Sequence, residues 1–166
     1  LCFAIAGCAL AVRLSDARRD ARFCAILGGG LAALASLVLL GHLSKLDFGI
    51  DWPSLHAWLR TENASPGRMS AVTATAFLLG GAALLLAPRA HRPMAITAVR
   101  LLTLGVGAVG LLGLVGYFVS AHLLFPEYWF TGVAVHTASG LLVFGVGLQL
   151  HWKRFGWGQA PLFARD

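Results

Sequence analysis

The chain has 166 residues, 58% of them hydrophobic and 12% charged, with a mean hydropathy of +0.76. Ordinary soluble domains are about 45–50% apolar and about 25% charged, so this composition excludes a water-soluble globular protein. The formal charge of +6 does not mark a nucleic-acid binder, because the basic residues sit in short clusters between long uncharged runs and form no solvated stripe.

Four runs free of Asp, Glu, Lys and Arg reach the roughly 20 residues needed to cross a bilayer core: 23–44, 69–87, 101–125 and 128–152. The expectation is an all-α polytopic transmembrane bundle with four full spans. Residues 1–12 are a fifth run, too short to span, and read as the end of a helix whose start is absent. The domain reading is therefore a repeat bundle over 1–152, incomplete at its N-terminus, and a cytoplasmic tail over 153–166 leading to an absent domain. Cys2, Cys8 and Cys24 lie in or beside apolar runs without metal-finger spacing and read as buried, inert thiols.

Threading these spans puts ten Lys and Arg residues on one side and three on the other. The positive-inside bias then places the C-terminus of a multi-pass protein in the cytoplasm. Trp52, Trp58, Trp129, Trp152 and Trp157 all fall at span ends, where indole favours the head-group layer. Between Asp51 and Arg60 the spacing of Trp52, Leu55, Trp58 and Leu59 predicts a short helix on the outer surface.

The spans repeat. Thr73, Phe77, Gly81 and Leu84 match Thr137, Leu141, Gly145 and Leu148, each pair 64 residues apart, and Phe3, Gly7 and Leu10 keep the same spacing. Each unit reads as a hairpin of two helices, the units being related by an axis along the membrane normal. Gly107, Gly110, Gly113 and Gly116 recur every three residues and leave a smooth surface for close helix packing, which marks the third full run as the expected centre of the bundle.

The segments Phe48-Gly49-Ile50-Asp51, Pro66-Gly67-Arg68-Met69-Ser70, Thr73-Ala74, Phe77-Leu78-Leu79 and Val133-Ala134-Val135-His136-Thr137-Ala138 resemble a family of membrane input modules. These stand N-terminal to PAS, histidine-kinase or diguanylate-cyclase domains in bacterial signalling proteins, two-component systems among them. The resemblance runs from about Leu34 to Leu150. It departs at Ala71 and Val72, where the family carries Pro-Asn. It implies a non-enzymatic sensor of the bacterial inner membrane, multi-pass, that relays a membrane or periplasmic signal to a cytoplasmic output domain in cis.

Histidine is the only residue type within the long runs that ordinarily titrates near neutral pH. His42, His122 and His136 fall near the expected outer face, on three different helices, and three imidazoles at one depth could enclose a ligand or a metal. Thr73, Thr137 and Tyr117 would add polar contacts to such a pocket. His136 and His151 lie 15 residues apart on one helix, roughly 22 Å of rise, a spacing that suits two haem levels, but no second helix carries a matching pair. The expectation is no cofactor. The alternatives are a haem b- or quinone-binding electron-transfer anchor, or a structural accessory subunit of a larger membrane complex. Expected partners are membrane lipid and either the output domain or neighbouring subunits; nucleic acid is excluded, and self-association into a homo-oligomer is left open.

Overall fold

The chain is described by a computed structural model over residues 1–11, 17–44, 69–89, 92–118 and 135–154. Five α-helices follow in order: α1 (Cys2–Ala11), α2 (Ala17–Ser44), α3 (Ala71–Leu86), α4 (Pro93–Phe118) and α5 (Val135–Arg154), with a 3₁₀ turn at Ala87–Arg89 after α3. Among the described residues there are no strands. The expected outer-surface helix at 51–60 and the segments 48–51 and 66–68 lie outside the described residues.

The helix ends follow from local chemistry. Ser70 is the N-cap of α3: its Oγ accepts from the Thr73 backbone N–H at 3.2 Å. The Ala87 N–H donates to Leu84 O as α3 tightens into the 3₁₀ turn. Pro93 opens α4, where its fixed φ suits a first turn and its missing N–H costs nothing. That start lies eight residues before the apolar run at Leu101 and takes Arg100 into the helix, with its side chain exposed. A long basic side chain near a span end can lay its stem on the apolar surface and carry its charge toward the interface.

Among the described residues, three helices are long and apolar enough to cross a membrane: Arg22–Ser44, Ala71–Arg89 and Pro93–Tyr117. The fourth run expected from sequence is represented by α5, which is not among them. Residues 128–134 of that run lie outside the described residues, and the last two turns of α5 carry Gln149, His151, Lys153 and Arg154.

The pairs α2–α3 and α4–α5 are antiparallel, and each closes on a glycine. A Cβ on Gly81 would stand 2.8 Å from both Gly28 O and Ala32 N, and one on Gly145 would stand 2.6 Å from Gly107 N. Both neighbours are backbone, so only glycine lets these helices come so close. Without a hydrophobic drive between helices in lipid, such contact is the main source of attraction. Inside the pairs, α1, α3 and α5 run parallel. The Phe3 and Phe77 rings meet edge to face at 4.9 Å, and Phe77 and Phe144 lie 6.3 Å apart. Gly140 and Gly147 of α5 receive Phe3 and Leu10 of α1.

Burial repeats with the sequence. Ala74, Phe77, Gly81 and Leu84 are buried, and so are Ala138, Leu141, Gly145 and Leu148, each 64 residues later. Thr73 is buried and Thr137 half-buried.

The expected centre of the bundle is displaced. Helix α4 sits outside, with Leu101, Leu104, Leu111, Leu112 and Val115 exposed, and the inner positions belong to α1, α3 and α5. A glycine every third residue drifts round a helix of 3.6 residues per turn. Gly110 therefore faces α5, whereas a Cβ on Gly107 or Gly116 would touch nothing within 4 Å among the described residues, Gly107 meeting Gly145 through its backbone alone. The thiols differ as well: Cys24 is buried, Cys2 half-buried and Cys8 exposed.

Replacing Gly110 by Leu drives a side chain against Leu142 N (2.5 Å) and Ala138 O (2.9 Å), both backbone atoms. Gly110→Leu is expected to cost about 1–3 kcal/mol or more. Leu111→Ala, at a position 52% exposed, should cost under about 0.5 kcal/mol. Thermal unfolding of both variants in detergent checks this, and equal midpoints would contradict the α4–α5 contact.

Candidate functional site

Of the side chains singled out from the sequence, His42, Thr73, Tyr117, His136 and Thr137 fall at one end of the bundle, where α2 and α4 finish and α3 and α5 begin. Their local roles differ. His42 is half-buried, and its Nδ1 donates to Val38 O at 2.9 Å, a bond back to its own helix. Thr73 is engaged by the cap: Ser70 Oγ donates to Thr73 Oγ1 at 2.9 Å while accepting from its N–H. His136 is exposed at the start of α5, beside the half-buried Thr137. Tyr117 is 64% exposed at the end of α4. His122 lies outside the described residues. Among the described residues no three His, Cys, Asp or Glu side chains gather as metal ligands would.

Polar side chains do come together at the opposite end, where Arg22, Arg89, Arg92 and Arg100 are all exposed. Thr103 is buried, and its hydroxyl donates to Val99 O at 2.9 Å, with Arg100 O at 3.0 Å. The hydroxyl oxygen then accepts from Gln149 Nε2 at 2.5 Å, so α5 is bonded to α4; Gln149 Nε2 also lies 3.4 Å from Arg100 O. One helix away, the buried Cys24 thiol points at Ala9 O (3.7 Å) and lies 4.0 Å from His151 Nε2. Cys24 thereby connects α1, α2 and α5.

Between these two groups lies a cavity of about 10 Å³, the least that holds one water. Cys24, Leu84, Val99, Thr103, Leu148 and His151 are among its walls. The arrangement is a polar junction of helices. A thiol and an imidazole supply two soft donors, short of the four ligands of a structural zinc site, and the cavity is far smaller than the 300–1,000 Å³ usual for small-molecule pockets.

Sequence reasoning singled out His151 for a haem spacing and took Cys24 for an inert thiol. It passed over Thr103 and Gln149. The available signal was Gln149 itself, an amide inside an apolar run one helical turn from Gly145, which in lipid must find a partner.

Interhelical hydrogen bonds in membrane proteins average about 0.6 kcal/mol and reach about 1.7 kcal/mol. Gln149→Leu is expected to lose that amount and no more, because Thr103 keeps its bonds to its own helix. A double-mutant cycle with Thr103→Val, read by unfolding in detergent, should return a coupling energy in that range; zero coupling would remove the bond. Comparison with family models, with curated proteins and with solved structures finds no match to this chain.

Proposed function

We propose that the chain is the membrane-embedded input module of a bacterial signalling protein, a bundle of hairpin repeats with its C-terminus in the cytoplasm. The observation that carries the reading is the position of α5. It is the last described helix, it packs on α1, α3 and α4, and near its basic end Gln149 and His151 bring it to α4 and α2. A rearrangement anywhere in the bundle therefore reaches α5, and α5 leads toward whatever follows Arg154.

Signalling in this reading is a population shift. A membrane-dissolved or periplasmic ligand that prefers one packing of the hairpins changes the occupancy of the Gln149–Thr103 contact and with it the setting of α5. The ends of the helices bearing His42, His122 and His136 form the receiving side. Neutral imidazoles there can donate on one nitrogen and accept on the other without a permanent buried charge. The 64-residue recurrence of sequence and burial supports the hairpin repeat, and the charge asymmetry supports the orientation.

The natural full-length polypeptide tests the function. Its reading frame is expected to continue past Asp166 into a kinase or cyclase module, and the purified protein should have no Soret band. A Soret band would favour the haem anchor, and a frame that stops soon after Asp166, in a protein that co-purifies with constant membrane subunits, would favour the accessory subunit.

Orientation is tested by thiol labelling in a background without Cys2, Cys8 and Cys24. A cysteine in place of Arg92 should resist an impermeant reagent in intact cells, while one in place of Ser44 should react. The reverse pattern would invert the topology.

A further inference from the structure

Each outer helix sits on two inner ones. Helix α2 closes on α3 at Gly28 and Gly81 and reaches α1 where Cys24 meets Ala9. Helix α4 closes on α5 at Gly107 and Gly145 and reaches α3 where Val99 packs with Ala83. The two seats correspond along the sequence: Cys24 and Val99 are 75 residues apart, and Ala9 and Ala83 are 74 apart.

A third seat of the same kind lies between α5 and α1, and no described residue covers it. On α1, Gly7 occupies the position of Gly81 and Gly145 in the repeat. A Cβ there would meet nothing within 4 Å among the described residues, whereas at Gly81 and Gly145 it would strike the backbone of α2 or α4. On α5, Val143 and Leu150 stand 64 residues after Leu79 and Leu86. Leu79 lies 3.2 Å from where a Gly105 Cβ of α4 would be, and Leu86 packs with Val99 of α4. Val143 is 69% and Leu150 55% exposed. The two open faces are on neighbouring helices, joined through Phe3–Gly140 and Leu10–Gly147.

We infer that this seat holds a further apolar membrane-spanning helix, antiparallel to α1 and supplied by the same polypeptide upstream of Leu1. The bundle is then a closed ring of three hairpins. The inference rests on the hairpin-repeat reading proposed above.

The source follows from the other two seats. Helices α2 and α4 each precede and run antiparallel to the inner helix whose glycine they cover. A second copy inserted in the same direction could offer only α2 or α4 in antiparallel orientation, and their close-approach faces are already occupied at Gly81 and Gly145. The crossing requires a small residue opposite Gly7, as Gly28 with Ala32 provides opposite Gly81.

Photo-crosslinking in native membranes tests this on the natural full-length polypeptide, with benzoylphenylalanine in place of Val143 and, as a control, of Leu79. The Leu79 probe should join α3 to α4, and the Val143 probe should give a monomer-sized product linked to a peptide upstream of Leu1. Dimers or lipid adducts alone at Val143, with the control intact, would overturn the inference and leave the repeat standing. A Leu79 probe that misses α4 would overturn the repeat itself. Independently, Gly7→Leu should lower the unfolding temperature of the full-length protein in detergent, while Gly30→Leu, whose Cβ also meets nothing within 4 Å among the described residues, should not. Equal midpoints for the two variants would overturn the covered Gly7.

Discussion

Backbone contact through glycine is the interaction on which the rest of this bundle depends. In lipid an apolar side chain gains little by leaving its surroundings for another helix, so attraction must come from atoms that pack more closely than lipid can. Gly81 against Gly28 and Gly145 against Gly107 provide that approach. Once each pair is closed, the spacing of the inner helices allows Phe3, Phe77 and Phe144 to fill the space between them. The same closeness lets a side chain as short as Thr103 meet Gln149 across the α4–α5 boundary.

The side-chain hydrogen bonds seen among the described residues run either back to the same helix or across one helix boundary. Thr75, Thr97 and Thr103 hydroxyls donate to carbonyls one turn back, as does the imidazole of His42. Ser70 answers the first turn of α3. At the end carrying the exposed arginines, side chains bond between helices, with Gln149 on Thr103 and Cys24 on Ala9. Close packing along the helices and directional bonds at this end act together.

How much of this was legible in the sequence depends on the kind of signal. Uninterrupted apolar length gave away the helices, because lipid leaves few other ways to satisfy a backbone. The 64-residue match of Phe77 and Gly81 with Leu141 and Gly145 fell on positions that are buried together. The glycine stripe of α4 misled about the centre, since periodicity in one helix records a close contact and not the number of neighbours. The start of α4 at Pro93 was hidden by Arg100, whose charge ends an apolar run but whose stem does not end a helix. At the candidate site, single residue types drew attention to histidine, whereas the junction is assembled from Thr103, Cys24 and Gln149 on three helices. Nothing in the spacing of one segment reports which residue of another will face it.

The bond between Gln149 and Thr103 bears on how the protein is made. A helix leaving the translocon partitions into lipid according to its own side chains, and polar residues near its end oppose that step. Helix α5 carries Gln149, His151, Lys153 and Arg154 in its last turns. The helix that offers Gln149 an acceptor, and Gly145 a backbone to lie against, is α4, which is synthesised first. Biogenesis is then sequential: α4 serves as an intramolecular template on which α5 is received, and the order of the hairpins along the gene is also their order of entry into the membrane.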